Sequence, residues 1–314
     1  MSKPRIILFA YHQLGHDTLK MLHERGDNVV AVFTHEDNPN EKVFFDTPAI
    51  YAKAHGIPFY TPKSVKKPEQ VEFVKSLQPD LIFSFYYRLI IPQEILDLPK
   101  LGAFNMHGSL LPKYRGRAPV NWVVVNGETE SGVTLHHMVA EVDAGDIVDQ
   151  EAFPIEDEDT AYDVGKKTFV AAQKVIQRQI DALLTGTAPR RPQNHAESTY
   201  FGGRTPEDGR IDWALTTQEI YNLIRAVTHP FPGAFTTLEG AEFKIWKSRR
   251  LPRADRPAVP GEIVCASPLQ IATSDGVLEV LEHDGAEAIK DKLTKGSILG
   301  QDHGMQIGQD ALSV

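Results

Sequence analysis

Asn105 and His107 stand two residues apart, and Asp143 comes later in the stretch His136-His137-Met138-Val139-Ala140-Glu141-Val142-Asp143-Ala144-Gly145-Asp146-Ile147. On an extended strand, side chains at i and i+2 leave the same face, so the Asn105 amide and the His107 imidazole would address one pocket. An amide donor, an imidazole and a carboxylate can together donate to a developing oxyanion and move a proton. For any one of them alone, a satisfied structural role is the simpler reading, because most buried polar groups find a partner. A metal set drawn from His107, His136, His137 and Asp143 meets an obstacle: neighbours on a strand point to opposite faces, so His136 and His137 cannot both reach one ion. Arg115 and Arg117, in the loop beyond His107, read equally well as a solvated turn or as an anion-recognition pair.

The elements that must hold these residues are legible in the first half of the chain. Nearly continuous apolar runs at 5–11, 28–34, 58–60, 80–86 and 102–107 predict strands covered on both faces, hence a parallel sheet. Helical patterns at 16–25, 48–55 and 68–77 alternate with them, and proline opens the last at Pro68. The expected architecture is α/β, a doubly wound open sheet, with Asn105 and His107 at the carboxyl end of a strand, where such sheets bind ligands. A long helix is expected over 159–184. A stretch rich in Pro, Arg, Thr, Ser and Gly at 186–203 reads as a linker. Beyond it come a helix at 217–227 and short strands at 234–238, 243–249, 261–266, 270–273 and 277–281, with Asp275-Gly276 as a hairpin turn. These suggest a small OB-like β-barrel. The expected division is a catalytic domain at 1–185, a linker at 186–203 and a barrel domain at 204–314.

Several functions are set aside by what is missing. The first turn, Ala10-Tyr11-His12-Gln13-Leu14-Gly15, holds one glycine where a dinucleotide site needs three, and there is no phosphate-cradling P-loop. The single cysteine, Cys265, excludes a disulfide within the chain and a thiolate metal centre; with no signal peptide at the start, a cytoplasmic protein is expected. No apolar run is long enough to span a bilayer. The net charge of −9 disfavours a nucleic-acid partner.

The pattern N-x-H-x-S-L-L-P-x-Y-R-G over 105–116, followed by H-x-M-x-x-x-x-D-x-G-D-I over 136–147, resembles the 10-formyltetrahydrofolate-dependent formyltransferases. The stretches FGGRTPEDGRIDW at 201–213 and PFPGAF at 230–235 resemble the segments by which methionyl-tRNA and sugar formyltransferases join their barrel domain, so the likeness spans nearly the whole chain. FAYH at 9–12, FTHEDNPNEK at 33–42 and FSFYYR at 83–88 look like the subgroup acting on UDP-4-amino-4-deoxy-L-arabinose, whereas tRNA enzymes carry a loop closer to T-Q-P-D-x-P-x-G-R-G. The resemblance implies catalytic roles for Asn105, His107 and Asp143. It implies folate contacts from Leu89, Ile90, Ile91, Arg117, Val139, Ala140, Glu141, Val142 and Asp143, with 10-formyltetrahydrofolate as formyl donor and no metal. The implied acceptor is a nucleotide-linked amino sugar used in lipid A or surface polysaccharide modification, with no membrane insertion and with a homo-oligomer left open. The alternative is a methionyl-tRNA formyltransferase. That enzyme would want a basic C-terminal surface, and residues 205–314 hold 11 Lys or Arg against 16 Asp or Glu, which argues against it.

Overall fold

The computed structural model describes residues 3–37, 45–252, 258–285 and 291–300. Residues 38–42 of the discriminating loop and 301–314 of the expected barrel domain lie outside the described residues. The chain divides into two units, one built from 1–123, 129–157 and 163–203, the other from 124–128, 158–162 and 204–314.

In the first unit, β1 (Arg5–Ala10), β2 (Asn28–Phe33), β3 (Phe59–Tyr60), β4 (Leu81–Phe85) and β5 (Ala103–His107) are parallel, in spatial order β3-β2-β1-β4-β5. They alternate with α1 (His12–Glu24), α2 (Pro48–His55), α3 (Pro68–Ser76) and α4 (Gln93–Leu96). The period-2 rule is plain on β1. Ile6, Leu8 and Ala10 pack with Leu14, Leu19 and Leu22 of α1, while Ile7 and Phe9 pack with Val74 of α3 and Ile95 of α4. The sheet is therefore covered on both faces.

The chain continues through β6 (Arg115–Gly116), α5 (Pro119–Val125), β7 (Glu130–His137), β8 (Ile147–Pro154), α6 (Ala161–Thr185) and β9 (Tyr200–Phe201). Here two strands that the sequence reading did not foresee join the five parallel ones. β7 pairs antiparallel with β5, and β8 antiparallel with β7, extending the sheet to seven strands. Antiparallel neighbours need no helical crossover, so the strand–helix rhythm lapses where these two strands begin. α1 starts at His12, four residues before the expected 16, because the first strand turns straight into the helix.

The second unit contains α7 (Thr217–Val227), β10 (Ala234–Leu238), β11 (Ala241–Leu251), β12 (Ile263–Ala266), β13 (Leu269–Ala272) and β14 (Val277–Asp284). The strands form a curled antiparallel sheet in the order β10-β11-β14-β13-β12. The Asp275-Gly276 turn joins β13 to β14, and Asp275 also accepts from the backbone N–H of Thr217 at the start of α7. No helix among the described residues is long and apolar enough to cross a membrane.

Candidate active site

β5 delivers Asn105 and His107 to its carboxyl end, and β7 lies beside it with His136 opposite Asn105 and Thr134 opposite His107. The loop between β7 and β8 then doubles back. The His137 N–H donates to the Asp146 carbonyl at 2.8 Å. A Cβ on Gly145 would stand 1.9 Å from the His137 carbonyl oxygen, so only glycine lets the loop close this tightly. Asp143, at φ +54, is carried back over the strand end.

Asn105, His136 and Asp143 form one hydrogen-bonded group, and the His107 ring stands beside it. The Asn105 Nδ2 donates to Asp143 Oδ1 at 3.2 Å and lies 3.1 Å from His136 Nε2. His136 Nδ1 is 2.9 Å from the His137 carbonyl, which can only accept, so the proton sits on Nδ1 and Nε2 receives the second Asn105 N–H. Both amide protons of Asn105 are thus engaged. His107 Nε2 lies 2.7 Å from the Tyr114 carbonyl and must donate to it. This leaves Nδ1 as the proton-accepting position, 3.5 Å from Asp143 Oδ2. The ring's tautomer is therefore fixed by a backbone carbonyl. Burial holds the His107 pKa below the ordinary histidine value, against the opposing pull of Asp143 and Tyr114, so the ring is neutral at neutral pH. For Asp143, burial would raise the pKa, but the neighbouring His107 and His136 and the Gly116 N–H at 2.9 Å hold it well below the usual carboxylate range. A neutral base beside a permanent carboxylate can accept a proton and have the resulting cation stabilised.

His137 does not join this group. It faces the other side of β7, 3.2 Å from the Pro189 carbonyl and against Phe104. Among the described residues no three His, Cys, Asp or Glu side chains are arranged to hold a metal.

Arg115 departs from both readings of its sequence. Its side chain is 1% exposed and is met by Gln193, His195 and Tyr200. Gln193 Oε1 accepts from Arg115 Nη2 at 2.7 Å, and its Nε2 donates to the Asp143 and Gly145 carbonyls at 2.8 and 2.7 Å. These partners come from 186–203, which pack into the first unit, with β9 running parallel to β6. Composition marked the stretch as a connector, and glutamine is an ordinarily exposed residue type, so nothing in the sequence singled Gln193 out.

The segments matched to folate contacts surround this group unevenly. Ile91 is buried in the sheet's core and Leu89 is half-buried, whereas Ile90, Val139 and Val142 are exposed apolar side chains, 63%, 42% and 50% accessible. Ala140 and Glu141 are exposed, and Glu141 accepts from the Tyr200 hydroxyl at 2.6 Å. Arg117 is exposed; its backbone N–H donates to Phe201, and its guanidinium makes no hydrogen bond or ion pair among the described residues. Five non-glycine residues around these loops, His12, Tyr86, Tyr114, Ala118 and Asp143, have left-handed backbones. Such residues cost about 1–3 kcal/mol each and persist only where packing over-determines them.

At the carboxyl ends of β1, β2 and β4, an aromatic cluster was not foreseen. The His12 ring packs against Phe45, Tyr86 and Phe169, and the Tyr87 ring stacks on His35. Burial and the nearby Arg88 charge lower the pKa values of His12 and His35 to about 4. Unfolded histidines bind protons below about 6.5, so here the unfolded chain holds more protons than the native one and stability must fall as pH drops through that window. His12 alone is worth on the order of 3 kcal/mol between pH 6.5 and 4; His35, more exposed, adds less. Thermal melts from pH 7 to 4 are expected to show a falling midpoint that flattens in a His12→Phe variant.

The formyl transferase family model matches residues 5–180, and the model of its C-terminal domain matches 204–294. Among solved structures, WlaRD, a sugar 3N-formyltransferase crystallised with dTDP and 5-N-formyl-THF, has a TM-score of 0.67 at 22% identity, over 90% of this chain and 99% of its own. The N-formyltransferase of Helicobacter canadensis, in complex with folinic acid and dTDP-3-aminofucose, has a TM-score of 0.65 at 23% identity, over 90% and 100%. A sugar N-formyltransferase from Shewanella sp FDAARGOS_354 has 0.63 at 20%, over 79% and 98%. At these identities the likeness is one of fold.

Proposed function

Because the chain belongs to the formyl transferase family, we propose that it moves the formyl group of 10-formyltetrahydrofolate onto the amine of a nucleotide-linked amino sugar, with UDP-4-amino-4-deoxy-L-arabinose as the acceptor. The observation that carries this reading is the joint placement of Asn105, His107 and Asp143 at the end of β5, with Asn105 hydrogen-bonded to Asp143 and His107 Nδ1 3.5 Å from the same carboxylate. A sugar acceptor is supported by the WlaRD and Helicobacter enzymes, which were crystallised with formylated folates and dTDP or a dTDP-sugar. The arabinose and uridine rest on the loop at 33–42 and its neighbours in the sequence. With that acceptor the product would serve lipid A modification, as part of a cytoplasmic step.

The folate supplies an activated one-carbon unit. As the neutral sugar amine attacks the formyl carbon, His107 Nδ1 receives the amine proton, and Asp143 accepts the new N–H and stabilises the imidazolium. The tetrahedral adduct then collapses with cleavage of the bond between the formyl carbon and the folate nitrogen, which takes the proton back from His107 and leaves as tetrahydrofolate. A positioned base of this kind contributes roughly 10²–10⁴-fold. Asn105 turns one amide N–H from Asp143 to the oxygen that gains charge; one such donor is worth ~2.7–4 kcal/mol of barrier. The exposed faces of Ile90, Val139 and Val142 suit a pterin ring, and the Arg117 guanidinium suits the carboxylates of the folate tail.

The deciding experiment supplies 10-formyltetrahydrofolate with UDP-, GDP- and dTDP-linked amino sugars and with methionyl initiator tRNA. UDP-4-amino-4-deoxy-L-arabinose is expected to exceed the other sugars by ~10²-fold in kcat/KM, since the pocket's hydrogen bonds set selectivity. Formylation of the tRNA, or folate hydrolysis at an undiminished rate with no acceptor present, would overturn the reading.

A further inference from the structure

We propose that Gln193 is the positioning residue for the Asp143 carboxylate, which makes the stretch after α6 a working part of the active site. The functional weight of Asp143 rests on the formyl-transfer reading; the fastening of its backbone does not.

Asp143 sits in a left-handed conformation, uncommon outside glycine though more accessible to aspartate than to most residues. Both carbonyls of its tight turn, those of Asp143 and Gly145, accept from the single Gln193 amide, at 2.8 and 2.7 Å. The orientation of that amide is settled chemically, because its other end meets Arg115 Nη2 at 2.7 Å and Nε at 3.2 Å, and a guanidinium only donates. Gln193 is 6% exposed and Arg115 1%, so neither can exchange its partners for water.

The Asp143 side chain is tied to the same place. Its Oδ2 accepts the backbone N–H of Gly116, the residue after Arg115. Arg115 and Gly116 form β6, which is pinned to the returning chain by Arg115 N–H to the Thr199 carbonyl and Arg117 N–H to the Phe201 carbonyl. One two-residue strand thus sets both ends of the residue: the carboxylate through Gly116, the main chain through Arg115 and Gln193. Simple filling beside Arg115 would account for the bond to the guanidinium. It would not account for an amide that spends both its protons on the one turn that aims the carboxylate at His107.

The test is amide hydrogen exchange in the full, substrate-free chain, read at Gly116 with Arg115 and Arg117 as internal controls. In Gln193→Met, which keeps length but removes both donors and the acceptor for Arg115, Gly116 exchange is expected to rise roughly tenfold as its bond to Asp143 loosens, well beyond any rise at Arg115 and Arg117. In the same variant kcat is expected to fall ~10–100-fold while KM for the folate stays within about twofold, as for a displaced reacting group. Should Gln193→Met fail to fold, Gln193→Asn retains an amide for Arg115 but is too short to span both carbonyls, and a smaller rise confined to Gly116 is expected. Unaltered exchange at Gly116, or equal acceleration at all three amides, overturns the proposal. Because no substrate enters the exchange measurement, it stands apart from the acceptor experiment: a different acceptor would leave the Gly116 result untouched.

Discussion

With His107 replaced by alanine, the protein is expected to remain folded and to lose formyl transfer by ~10³–10⁴-fold. Two considerations set the fold cost. The ring is buried, so its removal leaves a small cavity, and the Tyr114 carbonyl loses its 2.7 Å donor. The Ser109 hydroxyl, which donates to the Lys113 carbonyl at 2.7 Å and lies 3.4 Å from that of Tyr114, can share its one proton with it. The penalty should then stay near 2–3 kcal/mol, within what a domain of this size tolerates. The chemical cost is larger. Tyr114 fixes the proton on Nε2, so Nδ1 is the one ring position left to take a proton; His136 Nε2 is spent on Asn105, and the Asp143 carboxylate, held below the usual carboxylate range, is a much weaker base. Single-turnover rates at saturating substrates, beside a near-ultraviolet dichroism spectrum matching the parent, would check this. Near-normal turnover would remove His107 from the chemistry.

Asp143→Asn is expected to reduce kcat by ~10³-fold, with substrate KM values changed by less than about fivefold. Asparagine is chosen because it tolerates φ +54 better than other residues and can still accept from the Gly116 N–H. What it removes is the charge that would steady a protonated His107. Without that charge the imidazolium is harder to form, so the His107 pKa moves further down. The acid limb of the kcat profile should accordingly shift to lower pH while the plateau drops. Asp143→Ala should lose as much activity and, in addition, about 1 kcal/mol of stability for a left-handed alanine. A plateau equal to the parent's in Asp143→Asn would show that charge at this position is irrelevant to transfer.

The strand end with Asn105 and His107 was legible because its information is local. Alternation places both residues on one face, and an apolar run followed by polar residues announces a carboxyl end. The pairs β1–α1 and β4–β5 were legible for the same reason. β7 and β8 were not. The segment Glu130–His137 opens with Glu-Ser-Gly, and Ile147–Pro154 carries Asp149, Gln150 and Glu151, so neither reads as the continuous apolar run of a buried strand. They are strands because Gly132 lets β8 approach closely: a Cβ there would stand 2.4 Å from the Glu151 carbonyl. Arg115 was misjudged for a related reason. Burial of a guanidinium depends on partners, and its principal partner, Gln193, is 78 positions away. No periodicity records such a pairing. The left-handed backbones of Tyr86 and Tyr114 are equally silent, since nothing in a tyrosine announces a positive φ, whereas aspartate is among the residues enriched there.

The pairing of β6 with β9 bears on how this protein could be recombined with its relatives. The family's N-terminal match ends at 180 and α6 ends at Thr185, so either point invites a splice that would graft a foreign C-terminal unit. A chimera cut there would inherit all seven strands of the large sheet together with Asn105, His107 and Asp143, yet would import an unrelated amide, or none, under the Asp143 turn. Exchange of the segment after the junction should keep this amide when the cut falls at Gly203–Arg204 and lose it some eighteen residues earlier.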